Sequence, residues 1–281
     1  IRSISGVVDV TNYVMHEVGQ PMHAFDRDKL QGGIRVRMAR PGERLTLLDG
    51  QTVTLQDTTL VIADERGAVA AAGIMGGLDT AVDGGTRAVF LERTNFSPNA
   101  VAGRARGYGL QTDSSYRFER GVDPELPRLA MERAAALLLE IAGGRAGPII
   151  EAADPARLPR RNPITLGGAY LRRTLGTVVD ADEVTGLLSR LGMQVRRDGD
   201  GWHVTPPSHR FDIAIAADLV EEVARLYGYG RLPLSRPRQA TAVHGGHAGE
   251  LKRRARDMLA DRGYQEIIAY SFVDPALQAL L

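Results

Sequence analysis

The chain has 281 residues, of which 43% are hydrophobic and 25% charged, with a formal net charge of +1 and no cysteine. That length suits two domains with part of a third, and the near-zero charge excludes a surface that binds polyanions throughout, so any nucleic-acid contact has to come from a local basic patch. Without cysteine there are no disulfides, thiolate zinc sites or cysteine nucleophile, which fits a cytoplasmic protein.

No signal peptide is visible, and apolar runs such as Ala68–Gly77 and Ala134–Leu139 are too short to span a bilayer. The chain begins without Met, ends on an apolar helix-like run and reads as a piece of a longer protein. Among its 35 basic residues only Lys29 and Lys252 are lysines, a skew that fits genomic base composition better than phosphate recognition.

In chain order, the first half is glycine-rich and strand-rich. Ile34–Met38 alternates as a strand; Arg44–Leu47, Thr52–Leu55 and Thr59–Ile62 follow, with Leu48-Asp49-Gly50 as a turn. Ala68–Gly73 and Ala88–Glu92 read as buried strands. Pro127–Ile141 is a helix with Leu129, Ala130, Met131, Ala134, Leu137, Leu138 and Ile141 on its apolar stripe, ended by Gly143–Gly144. Residues 1–150 therefore read as one mixed α/β domain.

Asp154–Asn162 is a proline-rich charged linker. A smaller unit follows, with helices over Ala169–Thr174 and Asp182–Leu191, a hairpin of Met193–Arg197 and Trp202–Thr205, and an acidic helix over Ala216–Tyr227. The order helix, helix, hairpin, helix resembles a winged-helix arrangement. Arg236–Gly249, with His244 and His247, is a second linker. Glu250–Arg262 reads as a basic amphipathic helix and Glu266–Phe272 as a strand, the start of a further domain.

Four groups of residues carry chemistry. Asn12 and His23 lie eleven residues apart around a Gly19-Gln20-Pro21 turn, while His16 has no partner by spacing; a histidine beside a proline turn is commonly structural. The glycines of Ala71–Gly77 allow close backbone approach to a ligand or simply tight strand packing; they form neither a Walker loop nor a dinucleotide fingerprint. Glu92–Gly121 interleaves Arg93, Arg104, Arg106, Arg117 and Arg120 with Tyr108, Tyr116 and Phe118, which suits either a flexible RNA-facing loop or a solvated loop paired with acids. Pro207–Gly230 holds Asp212, Asp218, Glu221 and Glu222, the last three at helix spacing. These are oxygen ligands for a hard cation such as Mg²⁺, or a helix cap with solvated acids. No nucleophilic triad motif occurs.

The runs VVDVTNYVMHEVGQPMHAFD, GIMGG, GRARGYGLQTDSSYRFERGVDP and PSHRFDIAIAADLVEEVARLYGY resemble, in order, the bacterial phenylalanine–tRNA ligase beta-subunit family, over essentially the whole chain. The resemblance implies an α+β architecture: an editing domain over 1–150, a small winged-helix-like domain over 158–235, and the beginning of an inactive class II synthetase-like domain over 247–281. It implies an α₂β₂ ATP-dependent ligase whose synthetic centre lies in the alpha subunit, with phenylalanine tRNA as partner and tyrosine, or a tyrosyl-adenosine moiety, in the editing pocket. It assigns Glu92 to the tyrosyl hydroxyl, places His23 and Asn12 in the same pocket, has Gly73 and Gly76 admit the ring, and makes Thr112 and Ser114 the wall, where the family often has alanine at the latter. It also implies Asp212, Asp218, Glu221 and Glu222 as Mg²⁺ ligands in a site shared with the alpha subunit. The competing reading is a winged-helix nucleic-acid-binding module with an appended ligand domain; the acidic helix counts against it, because a groove-reading helix is basic.

Overall fold

The computed structural model describes residues 3–154, 156–234 and 247–280. They fall into two compact units, Ile1–Pro233 and Leu234–Leu281.

The larger unit begins with a helix, α1 (Gly6–Val18), capped by the Ser5 hydroxyl and closed by Gly19 in the left-handed region at φ 82°. Its β-branched residues Val7, Val8, Val10, Thr11 and Val14 favour a strand by local propensity, and the sequence reading assigns no helix here. Packing decides instead: Val10 and Val14 meet Ala130 and Ala134 of the Pro127–Ala142 helix, forming a small separate core.

The chain then runs through β1 (His23–Asp26), β2 (Arg35–Met38), β3 (Arg44–Thr46), β4 (Thr52–Thr54), β5 (Leu60–Ala63), β6 (Ala68–Ala71), β7 (Met75–Gly76) and β8 (Val89–Glu92). Strands β2, β5, β6 and β7 make an antiparallel sheet in the order β2-β5-β6-β7, β3 pairs with β4, and β1 pairs with β8 as a separate ribbon. Phe25, Leu45, Leu47, Val61, Val69, Phe96 and Phe118 belong to the core these elements share.

The segment read as a loop, either flexible and RNA-facing or solvated and paired with acids, instead contains α2 (Pro98–Val101), α3 (Arg104–Gly107) and α4 (Asp113–Phe118). Val101, Ala105, Leu110 and Phe118 anchor it in the main core. Tyr108 is tied down by its hydroxyl, which accepts from the Gln56 backbone N–H at 2.9 Å, and Arg120 stacks on Tyr116 at 3.6 Å. Four apolar anchors outweigh the polar character of the segment. The helix α5 (Pro127–Ala142) follows.

The second part of this unit contains β9 (Ile164–Leu166), α6 (Gly168–Leu175), α7 (Ala181–Arg190), β10 (Gln194–Asp198), β11 (Gly201–Thr205) and α8 (Ala216–Tyr227). The hairpin forms as expected, and β9 adds to it in the order β10-β11-β9. Leu166, Leu188, Trp202, Val204, Leu219 and Val223 fill its core. Strand β9 lies just beyond a proline-rich stretch, and three residues are too few for periodicity to reveal it.

The smaller unit has α9 (His247–Asp261) and α10 (Pro275–Gln278). The expected strand over Glu266–Phe272 does not form; Ile268 and Phe272 are fully exposed there. A strand needs a neighbour to take its backbone hydrogen bonds, and this unit offers none among its described residues. Most of the Arg236–Gly249 linker, including His244, lies outside the described residues.

Candidate functional site

Strands β1 and β8 run antiparallel with His23 opposite Glu92, Ala24 opposite Leu91 and Phe25 opposite Phe90. Directly opposed residues point to the same face, so two residues 69 positions apart in sequence become neighbours at the end of the ribbon. Both keep some surface exposure yet lie deep among protein atoms, the geometry of a recess and not of a sealed core. This surrounding holds the His23 imidazole down at about 4, because the cation loses hydration there. It pushes the Glu92 carboxyl up to about 7, with the Thr94 hydroxyl and Arg93 pulling weakly the other way. At neutral pH His23 is therefore uncharged, and Glu92 stands near the midpoint of its titration. His23 Nε2 is buried and, among the described residues, has no hydrogen-bond partner.

The imidazole is seated on two sides. Phe25 meets it edge-on at 4.4 Å between ring centroids. Gly76 of β7 lies under it: a Cβ there would sit 2.2 Å from His23 Cε1, so no other residue fits without moving the ring. The close approach expected between Gly76 and a ligand is thus made to His23. Gly73, at φ 69°, turns the chain between β6 and β7 with Phe118 Cδ2 3.0 Å and Phe96 Cδ2 3.1 Å from where its Cβ would be. Core rings occupy that space.

Thr112 caps α4: its hydroxyl accepts from the Ser115 N–H at 3.0 Å and donates to the Ile74 carbonyl at 2.9 Å, bringing α4 beside the turn that leads to Gly76. Its polar capacity is therefore spent within the fold. Ser114 and Asn12 are half-buried, on α4 and α1, and make no side-chain hydrogen bond among the described residues. The structure joins His23, Glu92 and Gly76 directly and links Gly73 with Thr112 through Ile74. Among the described residues, neither Asn12 nor Ser114 makes a side-chain hydrogen bond to the pair.

Two residues at this site escape sequence reading. The Thr94 hydroxyl donates to Glu92 Oε1. Its signal is the Glu-x-Thr spacing, which puts both on one face of an extended chain. Gln20 is wholly buried and bridges Pro21 and Thr94 through its side-chain amide; nothing local in a Gly-Gln-Pro turn announces that.

The four acids of Pro207–Gly230 do not converge. Arg210 donates to Asp212 Oδ2 at 2.7 Å and to Glu222 Oε1 at 3.0 Å, and Arg225 also pairs with Glu222. Asp218 turns back to accept from the N–H groups of Ala214 and Ile215 at 2.8 and 2.9 Å, at the start of α8. Glu221 faces outward while the adjacent Glu222 is buried. Among the described residues no three His, Asp or Glu side chains are grouped to hold a metal ion. The donor set, as arranged, does not fit Mg²⁺: a guanidinium already holds the Asp212–Glu222 pair, and keeps both carboxyls below their ordinary range.

Residues 1–143 match the B3/4 domain family and residues 164–229 the tRNA synthetase B5 domain family. A phenylalanine–tRNA ligase beta subunit of Nitrosococcus oceani is 57% identical over 282 residues, covering 100% of this chain and 36% of that protein. That of Methylococcus capsulatus is 55% identical over 279 residues, covering 99% of this chain and 35% of that protein. The chain thus spans about a third of the length of these relatives. A solved N-terminal fragment of the phenylalanyl-tRNA synthetase beta-subunit from Pyrococcus horikoshii aligns over 79% of this chain and 65% of that one, with a TM-score of 0.38 and 18% identity, too distant to bear on the fold. Among the described residues no helix is long and apolar enough to cross a membrane. From the two domain matches and these relatives, the chain belongs to the phenylalanine–tRNA ligase beta-subunit family.

Proposed function

We propose that residues 1–150 form an editing domain that hydrolyses tyrosine wrongly esterified to the tRNA for phenylalanine. It would work within an α₂β₂ ligase whose alpha subunit carries the ATP-dependent synthetic centre. In the same reading, residues 158–235 are a winged-helix-like domain and residues 247–281 begin a class II-like domain.

The observation that carries the editing reading is the recessed His23–Glu92 pair at the end of the β1–β8 ribbon. Tyrosine differs from phenylalanine by one hydroxyl, which a hydrophobic synthetic pocket rejects only about a hundredfold. A carboxylate at Glu92 accepts a hydrogen bond from the phenol, whereas phenylalanine leaves that desolvated group unpaired. Neutral His23 accepts a hydrogen bond at a ring nitrogen from a water and aims its lone pair at the ester carbonyl. Water oxygen bonds to that carbon, the bond to the ribose oxygen breaks, and the water proton ends on the ribose oxygen, assisted by the neighbouring ribose hydroxyl. Tyrosine and uncharged tRNA leave. No side-chain nucleophile takes part. Gly76 acts by seating His23, while Asn12, Gly73, Thr112 and Ser114 shape the recess.

Deacylation of tyrosyl- and phenylalanyl-tRNA by the assembled full-length enzyme tests this. Glu92→Ala is expected to abolish the preference for tyrosine, and His23→Ala to slow hydrolysis by about a hundredfold. Full rate and selectivity in both variants would overturn the assignment.

A further inference from the structure

We propose that Gln20 and Thr94 are positioning residues that hold His23 and Glu92 in register, Gln20 by clamping the open end of the ribbon and Thr94 by orienting the Glu92 carboxylate. The inference rests on the reading of Glu92 as the group that recognises the tyrosyl hydroxyl.

His23 and Glu92 are the last pair of the β1–β8 ribbon. Beyond them the ladder stops, and two residues upstream Pro21 has no N–H with which to extend it. A terminal pair without further cross-strand bonds frays. Here a side chain supplies the missing tie. Gln20 Nε2 donates to the Pro21 carbonyl at 3.0 Å and to the Thr94 carbonyl at 3.2 Å, joining the segment before His23 to the segment after Glu92. Gln20 is completely buried, and its Oε1 has no partner among the described residues. An unpaired buried oxygen works against stability, so a packing role alone would be better served by an apolar side chain of similar length. The amide hydrogens are what the position uses.

Thr94 takes the same linkage to the carboxylate. Its carbonyl is held by Gln20, and its hydroxyl donates to Glu92 Oε1. Among the described residues Glu92 Oε2 makes no hydrogen bond, so one oxygen is fixed and the other is left for a ligand hydroxyl. The linkage runs continuously from Pro21 through Gln20 and Thr94 to Glu92, and sets the distance between the carboxylate and the imidazole across the ribbon.

The test uses the assembled full-length enzyme and measures kcat and KM for tyrosyl- and phenylalanyl-tRNA deacylation, with melting temperature recorded for each variant. Thr94→Val keeps the shape and removes the hydroxyl; it is expected to cut the tyrosine preference by about tenfold, and Thr94→Ser to restore it. Gln20→Met keeps the length and removes the amide; it is expected to lower kcat by about tenfold with KM little changed. A packing role would move melting temperature without separating the two substrates or kcat from KM. Wild-type selectivity in Thr94→Val, together with lost selectivity in Glu92→Ala, overturns the positioning role alone. Retained selectivity in Glu92→Ala overturns the site reading and this inference with it. Should Gln20→Met fail to fold, the Thr94→Val and Thr94→Ser pair decides.

Discussion

His23 and Glu92 are displaced in opposite directions by one cause, the removal of water from the end of the β1–β8 ribbon. His23 falls from 6.5 to about 4, so the unfolded chain binds more protons across that window and stability is lost as pH falls through it. Glu92 rises from 4.5 to about 7, so the folded chain binds more protons there and stability is lost as pH rises through it. Between 4.5 and 6.5 the two slopes oppose and nearly cancel. Single variants unmask them: in Glu92→Gln, stability should climb with pH over that range by about 1 kcal/mol per unit, and in His23→Gln it should fall by a similar amount. Urea midpoints at half-unit steps of pH give the answer; flat profiles in both variants would mean that neither group is desolvated. The residue types at this site were legible as chemistry from a single sequence, but their meeting was not. A separation of 69 positions carries no periodicity, and only strand pairing brings them together. Gln20 was illegible for the same reason, since it acts through Thr94, distant in sequence, whereas Thr94 left only the local Glu-x-Thr spacing as a signal.

Elements show where local propensity yields to packing. Helix α1 forms against its β-branched composition because Val10 and Val14 find Ala130 and Ala134. Helix α8 was legible to its last residue, Ala216–Tyr227, since Leu219, Val220 and Val223 mark its buried face. Its acids go to different partners despite their helix spacing: Asp218 to the N–H groups of Ala214 and Ile215, Glu222 to Arg210 and Arg225, and Glu221 outward. Arg210 completes the rearrangement, binding Asp212 and Glu222 with one guanidinium. Arg210→Ala leaves the buried Glu222 with Arg225 alone and is expected to cost about 2 kcal/mol at pH 7, less than a fully buried pair because Asp212 is half exposed. Both carboxyls sit below their ordinary values, so their contribution is present above the unfolded carboxyl range and lost as pH falls through the folded values. The deficit of Arg210→Ala should therefore shrink at pH 3, and an equal deficit at both pH values would assign Arg210 a packing role instead.

At the scale of the whole molecule, the buried apolar clusters among the described residues lie within Ile1–Pro233. The unit Leu234–Leu281 exposes Ile267, Ile268, Tyr270 and Phe272. Deleting residues 234–281 should leave the main unfolding transition in place and reduce binding of an apolar dye; loss of cooperative unfolding would show that this unit contributes to the core. Taken alone, the sequence determined β2 to β6 and β8 of the first half but not β1 or β7, the helices α6 to α8 and the hairpin of the second, and the family, because local periodicity, turn residues and long ordered motifs survive in one dimension. Only the tertiary structure decided that α1 is a helix, that Glu266–Phe272 is not a strand, that Arg210 holds two of the four acids, and that His23 rests on Gly76 opposite Glu92. Each of those outcomes depends on a partner supplied, or withheld, by a distant part of the chain, and desolvation and strand pairing act only once that partner's place is settled.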